Sequence, residues 1–306
     1  MKTKITGILA FFSFIAFLLS HYYPLVDVAV MKEKYSYSES RFIDVNGMSV
    51  HYYEKGAGDT LVLLHGNGGN MHHYMPIMDE LSKHYRVIAP DYLGHGLTGA
   101  NENNDFSNGA FISFFEAFFD NLELDTFHIA GHSMGGYWTL QYAQKHPERI
   151  AKIVLIDAYG GMCPEQEYGT PFIPENLPLA ETFSRYIFPK FLVKSELQNN
   201  VYSPDSITDA LVTTHHDLMS IKGNRMYRKH FFGFDHPRAE IDGSKLDHPI
   251  YMLWGEQDSV HNLCEADNLK SRLTVQDVTI LKNVGHIPMI ENPLDTQNTL
   301  LGFLVN

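Results

Sequence analysis

Six apolar runs, each followed by a stretch of different periodicity, constrain this sequence more than any other feature. They are "TLVLLHG" (60–66), "YRVIAPD" (85–91), "TFHIAGHS" (126–133), "KIVLIDA" (152–158), "PIYMLWG" (249–255) and "DVTILKNVGH" (277–286). Short runs of nearly continuous hydrophobicity read as strands buried on both faces. Between them lie stretches of helical period, roughly 73–84, 106–122, 134–146, 262–273 and 293–304. Strands alternating with helices predict an α/β chain, with a mostly parallel central sheet and helices on both faces. Ahead of these, "RFIDVNGMSVHYYEKG" sets two alternating runs around Asn46-Gly47, a hairpin signal that adds antiparallel strands at one edge.

One interval breaks the rhythm. From 159 to 247 no buried-strand run occurs. A Gly/Pro-rich opening, "GGMCPEQEYGTPFIPENLP", gives way to short amphipathic helices rich in Phe and Tyr. So long an excursion between two core strands reads as a helical insertion, a cap between strands 6 and 7. The expected organisation is a core of 41–158 and 248–306, the cap at 159–247, a polar connector at 27–40 and an N-terminal segment at 1–26.

That segment has its own logic. Lys2 and Lys4 precede a stretch from Ile5 to Val26 without Asp, Glu, Lys or Arg. As a helix it would reach about 33 Å, enough for a hydrocarbon core of about 30 Å. No good small-x-small cleavage site follows, and Tyr22 and Tyr23 stand where an interfacial aromatic belt would. The reading is an uncleaved signal anchor, with a cleaved secretory signal as its rival. Either puts the folded part outside the cytoplasm, periplasmic or extracellular, tethered to the membrane or secreted.

Composition excludes some classes. A formal charge of -13 over 306 residues, with no basic stripe, argues against nucleic acid. Cys163 and Cys264 are too few for a disulfide framework and fit no zinc spacing, which leaves free thiols or a single bridge. Pairs such as His72-His73 and His215-His216 raise the question of a metal, but no ligand set at metal spacing surrounds them. No metal and no cofactor are expected.

The chemistry gathers around "FHIAGHSMGGYW" (127–138). A G-x-S-x-G match alone is weak, but here the serine falls between a buried strand and a helix, the setting of a nucleophile elbow. A serine hydroxyl needs a base to take its proton, and the base needs an orienting carboxylate. In this architecture the order along the chain is Ser, acid, His. Ser133 is the expected nucleophile, Asp258 in "LWGEQDSV" the acid and His286 in "NVGHIPMIENP" the base, all at the carboxyl edge of the sheet. Asp157, which also ends a core strand, stays open as the acid, whereas Glu256 reads as a turn-shaping residue. Among histidines, His286 is favoured over His132, which flanks the serine and points into the elbow. His95 in "DYLGHGLTG" reads as a loop residue lining the site. The oxyanion needs preorganised N–H donors. The backbone of Met134 and that of Asn67 in "HGNGGN" are the candidates, and the loop lacks the Lys-Ser/Thr that a phosphate cradle would need.

The set "LLHGNGG", "DYLGHGLTG", "GHSMGG", "LWGEQDSV" and "VGHIPMIENP", in that order, resembles the α/β-hydrolase superfamily over about residues 42–304. Within it the chain resembles bacterial serine esterases and lipases that carry a helical cap. The resemblance implies the α/β-hydrolase fold, with nucleophile, acid and base at Ser133, Asp258 and His286. Haloalkane dehalogenases and epoxide hydrolases of this fold use Asp as nucleophile, so Ser133 argues against both. Thr98 stands where many relatives have Ser. The implied activity is cleavage of carboxylic esters, with apolar or lipid-derived acyl groups, through an acyl-enzyme. Carbon–carbon bond hydrolysis, thioester hydrolysis and a catalytically silent, membrane-tethered binding protein are the alternatives. Phe172, Phe183, Tyr186, Phe188, Phe191, Phe231 and Phe232 in the cap suggest an apolar wall for the substrate.

Overall fold

A computed structural model describes residues 12–13, 16–17, 19–163, 186, 189–233 and 240–305, with backbone alone for 228–233. The opening hairpin is β1 (Ser40–Val45) and β2 (Met48–Lys55). Asn46 and Gly47 between them both take positive φ, 54° and 80°. That turn geometry matches the twist of the strands it joins. The six buried runs become β3 (Thr60–Leu64), β4 (Arg86–Pro90), β5 (Phe127–His132), β6 (Ile150–Ile156), β7 (Ile250–Gly255) and β8 (Val275–Leu281). They lie in one sheet ordered β1-β2-β4-β3-β5-β6-β7-β8, with β1 and β2 antiparallel and the rest parallel. From β3 the chain first steps outward to β4 and then crosses to β5. Such a reversal opens a crevice at the carboxyl ends of the adjacent strands.

The helices, in chain order among the described residues, are α1 (Val28–Tyr35), α2 (Met75–Leu81), α3 (Asn108–Asn121), α4 (Met134–Lys145), α5 (Lys190–Asn199), α6 (Asp209–Leu218), α7 (Lys222–Gly233), α8 (Leu263–Arg272), α9 (Pro288–Glu291) and α10 (Pro293–Leu304). Alternation along the strands builds two cores. Val62 and Leu64 pack with α3 and α4 on one face, while Leu61 and Leu63 pack with α2 and α10 on the other. Helix α3 is capped by Ser107, whose side chain accepts from Ala110 N–H, and it buries Phe111, Phe114, Phe115, Phe118 and Phe119. Each such ring contributes about 1.5–3 kcal/mol on full burial.

Strands β6 and β7 are hydrogen-bonded neighbours, although α5, α6 and α7 intervene in sequence. The helical cap therefore leaves the carboxyl end of β6 and returns at the start of β7. A disulfide joins Cys163, where the insertion begins, to Cys264 on α8, with Cα atoms 6.2 Å apart. Free thiols, the first expectation, are thereby corrected.

The segment expected as a polar connector is bound to the cap. Asp27 caps α1 by accepting from Ala29 N–H at 2.8 Å. The buried Asp217 carboxylate at the end of α6 accepts from Tyr23 Oη, Lys34 Nζ and Tyr35 Oη, each at 2.6 Å. Burial would raise its pKa, but those donors, with His216, hold it far below the usual carboxylate range. Val26 N–H donates to Ser220 O at 3.0 Å, which extends the attachment. Tyr23 is thus engaged with the protein rather than free to join an interfacial belt. Among the described residues no helix is long and apolar enough to cross a membrane. Ten of the 22 residues from Ile5 to Val26, the run that carried the anchor expectation, lie outside those residues.

Candidate active site

Ser133 occupies the N-cap of α4 with φ 53° and ψ -121°, a backbone state costly for a non-glycine residue. The surroundings enforce it. Ser133 N–H donates to Ile156 O at 2.9 Å, and Ser133 O accepts from Tyr159 N–H at 3.0 Å. A side chain at Gly131 would collide with the carbonyl of Gly135, and one at Gly135 with the carbonyl of Leu64. The two glycines permit the strand, the helix and β3 to close on the serine.

His286 Nδ1 lies 2.8 Å from Asp258 Oδ2, and both residues are buried. The other oxygen, Asp258 Oδ1, accepts from the N–H groups of Val260 (2.7 Å) and His261 (2.9 Å). Burial pushes the Asp258 pKa up. The charge and hydrogen bond of His286, then His261, outweigh that and keep it below the ordinary value. The backbone of His286 is fixed at both ends. Its N–H donates to Asn200 O at 2.8 Å, and its carbonyl accepts from His132 Nε2 at 2.6 Å. His132, expected to point into the elbow, is instead the support of the His286 peptide. Burial, then the charge of His286, lowers the His132 pKa well below 6.5.

Asp157, the alternative acid, ends β6 at φ 42°, fully buried. Its Oδ1 accepts from Gly255 N–H at 2.8 Å. It completes a trio with Asp258 and His286 whose ligand-type atoms all lie within 4.8 Å of one another. Burial, followed by the Asp258 charge, raises the Asp157 pKa well above 3.8, opposite in direction to that of Asp258.

A second histidine also reaches the serine. Ser133 Oγ is 3.4 Å from His261 Nε2, and His261 Nδ1 is 3.0 Å from Glu265 Oε1. Among the described residues, Ser133 Oγ hydrogen-bonds His261 and not His286, whose ring centroid is 5.1 Å from that of His261. Sequence reasoning missed this pair. The signal was the H-x-x-x-E spacing that places both side chains on one face at the start of α8.

The oxyanion candidates flank the serine. A Cβ on Gly66 would lie 3.0 Å from Ser133 Cβ and 2.9 Å from His132 Nδ1, so the loop after β3 rests against the elbow. Asn67 directly follows that contact and Met134 directly follows Ser133. Gly68 N–H donates to His95 Nε2 at 3.1 Å, while His95 Nδ1–H donates to Leu93 O at 3.0 Å. Burial, and next the charge of His65, drops the His95 pKa well below 6.5, which keeps the ring neutral and its Nε2 an acceptor. Asp91 ties the same loop down by accepting from Met71 N–H (2.9 Å) and Leu97 N–H (2.8 Å), with His51 Nδ1 at 2.7 Å.

The cap reaches the site at several points. Glu291 accepts from Tyr202 N–H at 2.7 Å and from Gly285 N–H at 2.8 Å, linking the end of α5 to the His286 loop. His73, beside the oxyanion loop, shares a hydrogen bond of 2.6 Å with His215 on α6. A cavity of about 30 Å³, room for one water, lies between Asn67, His95, Leu218, Met219 and Tyr227. Tyr227 of α7 is the aromatic that faces this space. Of the rings expected to wall the substrate, Phe191 is 55% exposed and meets the His21 ring, while Tyr186 stacks on Tyr22. Phe172, Phe183 and Phe188, and the side chains of Phe231 and Phe232, lie outside the described residues.

The chain is similar to several known proteins. The chain is 27% identical over 266 residues to Lipase 3 of Moraxella sp. (strain TA144), covering 80% of this chain and 77% of that one. It is 33% identical over 123 residues to 2-hydroxy-6-oxo-2,4-heptadienoate hydrolase of Pseudomonas putida, covering 39% of this chain and 45% of that one. The crystal structure of a membrane phospholipase A, described as a bacterial virulence factor, superposes with a TM-score of 0.73 at 22% identity, covering 100% of this chain and 98% of that one. The family model described as alpha/beta hydrolase fold matches residues 59–293. With its sheet order, its strand-to-helix serine and that match in agreement, the chain belongs to the α/β-hydrolase family.

Proposed function

We propose that the protein is a serine hydrolase of carboxylic esters with apolar, lipid-derived acyl groups. The carrying observation is Ser133 at a strained strand-to-helix turn, its Oγ within reach of a buried imidazole. Ser133 Oγ attacks the ester carbonyl, and a histidine takes its proton. The backbone N–H groups of Asn67 and Met134 receive the developing oxyanion. His286, with Nδ1 on Asp258, is the base of this reading, in the tautomer that leaves Nε2 free to accept. Collapse of the tetrahedral intermediate expels the alcohol, and water then releases the acid from the acyl-enzyme.

The cap acts as a lid that selects the acyl group. A lipase similar over most of the chain supports the ester reading. The higher identity to a dienoate hydrolase over a shorter span keeps carbon–carbon cleavage by the same residues as the second reading. Screening p-nitrophenyl esters of graded length beside a vinylogous diketone separates the two. Ester turnover that rises with acyl length and vanishes in Ser133→Ala is expected, and turnover of the diketone alone would overturn the first reading.

The catalytic domain works outside the cytoplasm, held to the membrane by the apolar stretch of residues 5–23. The Cys163–Cys264 bridge supports this, because such bonds persist in oxidising compartments. Fractionation with N-terminal sequencing tests it, and a soluble mature chain starting beyond Tyr23 would replace the anchor with a cleaved signal.

A further inference from the structure

We propose that His261, braced by Glu265, is a second catalytic base at Ser133, an inference that rests on Ser133 being the nucleophile. Two imidazole–carboxylate pairs stand side by side, His286 with Asp258 at 2.8 Å and His261 with Glu265 at 3.0 Å, with ring centroids 5.1 Å apart. Only the second contacts Oγ among the described residues, at 3.4 Å. Both members are buried, His261 at 5% exposure and Glu265 at 0%. A carboxylate in the first turn of α8 is favoured by the unpaired N–H groups and dipole of the helix. Accepting from Nδ1–H, Glu265 fixes the tautomer in which Nε2 carries the lone pair aimed at the serine hydroxyl.

The ring is held as a catalytic group must be. His261 N–H donates to Asp258 Oδ1 at 2.9 Å, and its carbonyl accepts from Trp254 Nε1 at 2.7 Å. Behind Glu265, Gly161 packs so closely that a side chain there would strike the Glu265 backbone, and the neighbouring Cys264 carries the disulfide. Asp258 therefore serves both arms, orienting the His286 ring with one oxygen and the His261 peptide with the other.

In acylation the Oγ–H proton moves to His261 Nε2 as Oγ bonds the acyl carbon and the carbonyl π electrons pass to oxygen. Glu265 balances the imidazolium. Collapse restores the carbonyl, breaks the bond to the leaving alcohol oxygen and returns the proton to that oxygen, leaving acyl-Ser133 and neutral His261. With two bases in parallel, loss of either is partial and loss of both is complete.

The test measures labelling of Ser133 by a fluorophosphonate and single-turnover acylation by a p-nitrophenyl ester. The variants are His261→Gln, Glu265→Gln, His286→Gln and His261→Gln/His286→Gln. Because parallel rates add, the rates left in His261→Gln and His286→Gln should sum to about the wild-type rate, while the double change should lose about 10⁴-fold, the upper range of base assistance. Glu265→Gln keeps the His261 ring and its packing, so it reports on the base even if His261→Gln folds poorly. Single losses that are partial together with a double loss that is complete support the proposal. His286→Gln alone falling to the level of the double variant, so that His261 carries no residual rate, would overturn it. Labelling of Ser133→Ala at the wild-type rate would instead sink the nucleophile, a separate failure.

Discussion

Replacing Asp157 with Asn should change how stability depends on pH while leaving catalysis nearly intact. The Asp157 carboxyl is fully buried beside ionised Asp258, and both facts raise its pKa well above 3.8. In the unfolded chain it titrates near the reference value of about 3.9. Between those two values the folded protein holds a proton that the unfolded chain has released, so stability is greatest below the unfolded pKa and falls as pH rises. The slope is about 1.4 kcal/mol per pH unit for one proton. Asparagine preserves the shape and the acceptor for Gly255 N–H, but it does not titrate. The stability of Asp157→Asn relative to wild type should therefore climb by about 1.4 kcal/mol for each pH unit between the unfolded and folded pKa values, and level off beyond the latter. Urea unfolding of both proteins across a pH series, with equal slopes in denaturant, measures it. A difference that stays constant with pH would mean that Asp157 is ionised in the fold, and the reasoning would fail. On activity, Asp157→Asn should lie within a few-fold of wild type, whereas Asp258→Asn should cost about 10⁴ in kcat.

The other expectations concern what surrounds the serine. His95→Leu removes the acceptor for Gly68 N–H and should lower kcat about tenfold through the oxyanion loop, with KM little changed; steady-state kinetics on a short acyl ester decides it. Asp217→Ala strips Tyr23, Lys34 and Tyr35 of their shared acceptor, so limited proteolysis should cut faster within residues 24–36 while the core resists. Reducing the Cys163–Cys264 bridge, which closes a separation of 101 residues, should lower stability by up to about 4.7 kcal/mol in urea unfolding.

What the sequence discloses follows the range of the interactions involved. Strands β3 to β7 were legible because burial on both faces forces continuous apolar runs, β8 is a partly exposed edge strand, and Asn46-Gly47 states its own turn. Ser133, Asp258 and His286 were legible as positions because each follows a strand whose end is plain. The contact from Ser133 to His261 was not, since a histidine three residues beyond an aspartate turn looks like any loop residue until α8 brings Glu265 under it. The clamp on Asp217 joins residues more than 180 positions apart, and no periodicity reports that. Phe191 shows a further limit. Counting cap aromatics says nothing of which way each faces, and this ring meets solvent while Tyr227, which the count passed over, lines the small cavity beside Asn67 and His95.

The bridge at the base of the cap changes what a broken chain would mean. A protease cut between residues 164 and 249 would leave Ser133 on one polypeptide and Asp258, His261 and His286 on another. The two fragments would still be joined covalently through Cys163 and Cys264, and β6 would still pair with β7. Such a nicked molecule would migrate as one species unreduced and as two after reduction. It would remain a two-chain molecule whose cap could be opened, trimmed or exchanged without dispersing Ser133, Asp258 and His286.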